Sequence, residues 1–268
     1  MRSGLKWRLT TFWASSGVLA CGENRPVAFA HRSHSSVTAC HRYEARKLAN
    51  VTTRRSPMAR IAGVSPRDAG LGVKLASYFT RRQLAQITGH GMAQMNERMT
   101  EPVEVYAHTP GVLSAYGKLE QATAKLNRVE GRLKVLAELK AATLTNCEYC
   151  IDLGSQVARR TGLTDEHLLA LPRYRESGLF DEVEKLVLDY AVGMSRTPVE
   201  VTDALFDRLK ERFDDAQIVE LTHAIALENL RGRFNLALGV CAAGFSEGML
   251  CALPTTVAQS ASGGAAAG

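Results

Sequence analysis

The chain has 268 residues, 46% hydrophobic but only 6% aromatic, enough to build a core without disulfide staples and, rich in Ala and Leu, biased toward helices over sheets. Its net charge of +6 is unevenly placed: residues 1–57 hold ten Lys/Arg against two acids, Glu23 and Glu44, whereas the rest holds 23 basic and 25 acidic residues. The basic excess therefore makes no case for nucleic-acid binding by the folded body, and no run after residue 57 is apolar enough to span a membrane.

Residues 1–57 form a leader with scattered Trp, Cys and His and no periodic apolar face. It imitates a secretory signal cleaved near Cys21, and its Arg-rich, acid-poor composition also imitates an organelle transit peptide. The preferred reading is a disordered leader or misplaced start, with translation beginning at Met58, because MARIAGVSPRD reads like a natural N-terminus. One helical domain is expected over 58–251 and a disordered, low-complexity tail over 252–268. From about Pro66 the domain reads as helices joined by short breaks. KLASYFTRRQLAQITGHGMAQMNE is amphipathic, with a Gly pair that loosens or ends it. Pro110 opens GVLSAYGKLEQATAKL, and EGRLKVLAELKAATL follows with apolar residues at helical spacing. Gly162 fits a helix C-terminus after Arg159 and Arg160. Thr164-Asp165-Glu166 starts a short helix that stops before Pro172. DEVEKLVLDYAVGMSR runs to the break TPVE, Thr202 caps TDALFDRLKERF, and Asp214 with Gln217 forms a capping box for the long last helix. No period-two run bounded by turn residues suggests a strand. The fold class is all-α.

Of six cysteines, Cys21 and Cys40 fall in the leader and Cys241 and Cys251 near the C-terminus. Only Cys147 and Cys150, in TNCEYCIDLG, have a motif spacing. Thr145 and Glu148 read as a capping box that puts both cysteines in the first turns of a helix. There free N–H groups stabilise a thiolate, and a three-residue separation lets the sulfurs meet. That suits a dithiol redox centre. Two alternatives remain open: a structural zinc site, which would need ligands shared between subunits because there is no second CxxC and no His pair with ligand spacing, and simple packing of two small apolar residues.

The stretch KVLAELKAATLTNCEYCIDLGSQVARRTGLTDEHLLAL resembles the carboxymuconolactone decarboxylase-like superfamily, and specifically its AhpD-like alkylhydroperoxidase branch. The resemblance continues through the R-T-P-x-x-V break and the helix ELTHAIALENLRGRFN, covering roughly 112–245. It implies an AhpD-like helical bundle, oligomeric as a homotrimer or homohexamer, in the cytoplasm, with no metal, flavin or other cofactor. It further implies a thiol-dependent peroxidase. Cys150 would attack a hydroperoxide and become a sulfenic acid, Cys147 would close the disulfide, and a dithiol or lipoyl-type reductant would reopen it. The alternatives are a non-catalytic redox-sensing helical oligomer and a carboxymuconolactone decarboxylase-type enzyme on the same scaffold.

Two family positions depart from the pattern. The family's His, four residues after the second Cys, is Gly154 here, and its Glu, twelve residues before the first Cys, is Val135. Glu138, one helical turn after Val135 on nearly the same face, is the candidate replacement for the proton relay, or else a solvated surface acid. His223, in the apolar run ELTHAIALENL, is the second candidate, or else a core or interface residue. Tyr149 is expected to shape the pocket mouth and Asp152 to face solvent. Asn229, Arg231, Arg233 and Asn235 are read first as structural, with an Arg available to hold an acidic substrate.

Overall fold

The computed structural model describes residues 59–65 and 69–252. The expected leader, Met58 and the tail from 253 lie outside them, as do Cys21 and Cys40. Among the described residues there are nine α-helices, three short 3-10 turns and no strand. The helices are α1 (Leu71–Thr88), α2 (Glu101–Tyr106), α3 (Pro110–Thr123), α4 (Gly131–Thr145), α5 (Glu148–Arg160), α6 (Asp165–Ala170), α7 (Glu182–Ser195), α8 (Asp203–Lys210) and α9 (Asp215–Leu238).

Most boundaries follow from local chemistry. Gly89, at φ 78°, ends α1 within the expected Gly pair. Past Arg160 the chain closes as a Schellman turn: Leu163 N–H donates to Ala158 O and Gly162 N–H to Arg159 O, with Gly162 at φ 86°. Asp214 accepts from Gln217 N–H at 2.7 Å and Gln217 Oε1 from Asp214 N–H at 2.9 Å, the expected capping box. Thr202 accepts from Leu205 N–H at 3.3 Å. The short α2 was not expected from the pattern. Its Pro102 stands in the first turn, where a missing N–H breaks no helical hydrogen bond.

α4 is the central helix. Nine of its fifteen residues are buried, because α5 covers one side while α7 and α9 cover the other. Ala137, Ala141 and Ala142 keep those approaches close. α9 comes closest at Gly232, where a Cβ would sit 2.6 Å from Thr145 Oγ1. Ala137, Ala141, Val187, Leu221 and Ile225 form one apolar cluster between α4, α7 and α9. Each large aliphatic side chain there contributes about 1.5–3 kcal/mol. A second cluster surrounds the cysteines and includes Leu136, Leu139, Leu188 and Phe245. Lys134 and Glu220 pair in the interior at 2.6 Å, and Glu220 also accepts from the Arg128 and Val129 amides. Burial pushes that carboxyl up, but the ammonium and the two amides outweigh it and hold it below its ordinary range.

Asp152 corrects an expectation. It is 5% exposed rather than solvated. Its Oδ2 accepts from the amides of Ala243, Gly244 and Phe245 at 2.7–3.0 Å, and its Oδ1 from Ser246 at 2.7 Å. Four backbone donors aimed at one carboxylate anchor the segment after α9 onto α5.

Candidate functional site

The helix carrying the cysteines begins differently from the expected capping box. α4 runs through Thr145, whose hydroxyl donates back to Ala141 O and Ala142 O. Two residues separate the helices, and the first, Asn146, makes the turn at φ 58°, a conformation Asn tolerates better than most residues. Cys147 is therefore itself the N-cap of α5, and its Sγ accepts from Cys150 N–H at 3.3 Å. The two cysteines form a disulfide with Cα atoms 5.2 Å apart. Asn235 of α9 donates its amide toward both sulfurs, at 3.7 Å to Cys147 and 3.6 Å to Cys150. A thiolate at Cys147 would lie at the positive end of α5 with two N–H donors facing it.

The sulfurs are not equivalent. Cys147 is 0% exposed. Cys150 lines a cavity of about 80 Å³ whose other walls include Leu84, Val103, Tyr106, Leu139, Tyr149 and Phe234. That space is several times what one water requires. Tyr106 stacks on Phe234 with ring centroids 3.9 Å apart and on Tyr116 at 4.7 Å. Tyr149 donates its hydroxyl to Met99 O at 2.6 Å, which fixes its ring in the wall. Val135 and Gly154, the two positions where the sequence departs from the family pattern, both line the cavity.

The wall also holds four ionisable residues, Glu120, Glu228 and Arg231 buried and Glu138 half-buried. Arg231 donates to Glu120 through Nε at 2.9 Å and Nη2 at 2.5 Å, and to Glu228 through Nη1 at 3.0 Å. Glu138 lies 3.7 Å from the same Nη1. One guanidinium thus serves three carboxylates. Burial pushes Glu138 up to about 7; Arg231 opposes that shift, and Glu228 and Glu120 reinforce it. Burial raises Glu228 as well. Although burial alone would lower it, the guanidinium of Arg231 is held well above its ordinary value by Glu120, Tyr116 and Glu228.

Of the four candidate residues, Cys147, Cys150 and Glu138 come together, Cys150 and Glu138 on one cavity. His223 does not join them. Its Nε2 meets Thr123 Oγ1 at 2.7 Å, and it lies twelve residues before Asn235 on α9, about 18 Å along the helix axis. Arg231 and Asn235 line the cavity with Cys150 and Glu138, while Asn229 and Arg233 bind Ser195 and Thr197 between α9 and the end of α7. The signal for the missed pair was present: Glu228, Arg231 and Asn235 recur at i, i+3 and i+7, a polar stripe on the buried face of the helix. Arg231 is committed to carboxylates of its own chain, so it does not supply the expected hold on an acidic substrate. Among the described residues no group of three or more His, Cys, Asp or Glu is placed to hold a metal ion, and no helix is long and apolar enough to cross a membrane.

Comparison with known proteins bears on the family and the fold. The model of the carboxymuconolactone decarboxylase family matches residues 110–192, from α3 into α7. The uncharacterized protein YnjA of Escherichia coli K12 is 41% identical over 139 residues, 52% of this chain and 71% of that one. Two solved structures share the fold. The alkylhydroperoxidase AhpD core of an uncharacterized peroxidase-related protein from Ralstonia eutropha JMP134 has a TM-score of 0.58 at 16% identity, covering 74% of this chain and 100% of that one. The apo debrominase Bmp8 has a TM-score of 0.55 at 20% identity, covering 66% and 89%. The relative matched over most of its length and the family model lying across the CxxC helices agree: the chain belongs to the carboxymuconolactone decarboxylase family, with an AhpD-like helical fold.

Proposed function

We propose that the protein is a thiol-dependent peroxidase in which Cys150 reacts and Cys147 resolves. The observation that carries this reading is the asymmetry of the pair: Cys150 lines the cavity, while Cys147 is buried behind it and bonded to it. In the reduced protein, Glu138 as carboxylate takes the Cys150 proton through water in the cavity. The thiolate attacks the terminal oxygen of a hydroperoxide, the O–O bond breaks, and Glu138 returns the proton to the departing alkoxide. Cys147 then displaces hydroxide from the sulfenic acid, closing the disulfide and releasing water. A dithiol or lipoyl-type reductant attacks Cys150, the sulfur it can reach. Cys147 leaves as the thiolate favoured by the Cys150 and Asn235 N–H groups, and a stabilised leaving thiolate speeds exchange. The reductant's second thiol frees Cys150 as its own disulfide forms. Such a cycle suits a reducing compartment such as the cytoplasm. Assembly as a homotrimer or homohexamer is supported by apolar residues left outward on α9, namely Val219, Leu230 and Leu236.

The test is consumption of an organic hydroperoxide with a dithiol reductant. Multiple turnovers are expected from the parent and none from Cys150→Ser. Cys147→Ser is expected to give one stoichiometric oxidation, trapped as sulfenic acid. A parent that oxidises once without turning over would replace the peroxidase with a redox sensor. Decarboxylase activity surviving loss of both cysteines would replace it with the carboxymuconolactone reaction.

A further inference from the structure

Glu101 opens α2 and is 7% exposed. Its Oε1 accepts a single hydrogen bond, from the backbone N–H of Ala59 at 3.0 Å. Its Oε2 is buried and has no partner. No Lys, Arg or His of the described residues pairs with this carboxylate. Its neighbours on the same turns, Glu97 and Glu104, are acidic: burial raises Glu104, and repulsion from Glu97 and Glu101 adds to that against the opposing pull of Thr100 and Arg81. A buried anion with one neutral donor and a bare oxygen is costly, and native proteins resolve that cost by pairing.

Among the described residues, the one hydrogen-bond donor held against Glu101 is the nitrogen of Ala59. It is fixed there from both sides: the Ala59 methyl packs on the cluster around the disulfide, and Arg60 donates its N–H to Leu238 O and its Nη1 to Ala237 O at the end of α9. As a peptide N–H, that nitrogen offers one donor and no charge. As a terminal α-ammonium it would offer three donors and a unit positive charge, enough for both carboxylate oxygens. We propose that the mature chain begins at Ala59 and that its α-ammonium is the counter-ion of Glu101. The step is hydrolysis of the Met58–Ala59 peptide bond: water's oxygen ends on the Met58 carboxylate and Ala59 keeps the amine, which protonates. If translation starts at Met58, this is removal of the initiator methionine, favoured by the small side chain that follows; in a longer chain, the same bond is cut by an endopeptidase. The consequence reaches the cavity, because α2 supplies Pro102, Val103 and Tyr106 to its wall. Maturation would lock that wall. The inference stands apart from the peroxidase reading, and neither measurement below uses activity.

The first measurement is the N-terminal residue and intact mass of the protein isolated from the cells that make it. Ala59 with an unblocked amine is expected; any other first residue, or an acetylated Ala59, overturns the proposal. The second uses the full chain with a protease recognition sequence replacing residues 53–58, folded before it is cut to expose Ala59. Cutting is expected to raise Tm by about 5 °C, the shift corresponding to hydrogen bonds to a charged group in a domain of this size. The rise should be absent in Glu101→Gln. An unchanged Tm on cutting, or an equal rise in Glu101→Gln, overturns the ion pair.

Discussion

Glu138→Gln separates what the buried acid does for the reaction from what it costs the fold. Burial moves this carboxyl from 4.5 in the unfolded chain to about 7 in the folded one. The folded state therefore holds a proton that the unfolded state has lost between those values, and stability falls as pH rises from about 4.5 to about 7. At 1.36 kcal/mol per pH unit, the full penalty above pH 7 is about 3 kcal/mol. Because the side chain is 18% exposed and lies 3.7 Å from Arg231, the measured value should fall at or below that figure. Gln keeps the shape and cannot ionise. Urea unfolding of parent and variant from pH 4.5 to pH 9 should show equal stability at the acid end. The variant should be more stable by about 2–3 kcal/mol at pH 8. Under the proposed mechanism the same variant loses about 10²–10³-fold in peroxide kcat/KM, together with the inflection near pH 7 that the parent shows. A stability difference that does not vary with pH would refute the assignment of the raised pKa to Glu138. A peroxide pH profile unchanged in the variant would refute its role as proton carrier.

Replacing Asn235 with Leu removes the amide facing both sulfurs, so the thiolate absorbance of the reduced protein should titrate about one pH unit higher; an unmoved midpoint would leave Asn235 as packing. Asp152→Ala strips four backbone amides of their acceptor and should cost about 4 kcal/mol in urea unfolding, with Asp152→Asn intermediate. The surplus of carboxylates over Arg231 should make the cavity reject anions. A hydroperoxide bearing a carboxylate should react at a kcat/KM about tenfold or more below its neutral analogue at pH 8, and Glu138→Gln should narrow the gap. Equal rates for the two substrates would mean that the reacting group never approaches the carboxylates.

Local chemistry made the helices legible. Asp214 with Gln217, Thr202 and Gly162 each mark an end that short-range hydrogen bonds enforce, and the structure puts the ends there. The cysteine pair and Glu138 were legible because spacing along one chain segment carries them. What escaped depends on partners distant in sequence. Asp152 reads as a surface acid until residues 243–246 fold over it, some ninety positions later. Asn235 and Arg231 acquire their meaning only when α9 crosses α4 and α5. The Thr145 capping box failed for a local reason: T-x-x-E competes with an Asn able to turn the chain in one left-handed step, and the second option carries α4 one residue further, through Thr145.

The two-residue joint between α4 and α5 also sets the phase of the site. Glu138 and Cys150 belong to different helices, yet no slack separates them: every residue from 131 to 160 except Asn146 and Cys147 lies inside one helix or the other. A residue inserted on either side of Asn146 would turn α5 by about 100° about its axis and shift it by about 1.5 Å, swinging Cys150 out of the cavity wall while leaving each helix intact. Side chains can therefore be exchanged around this joint, but its length behaves as a fixed gear ratio between the acid and the sulfur.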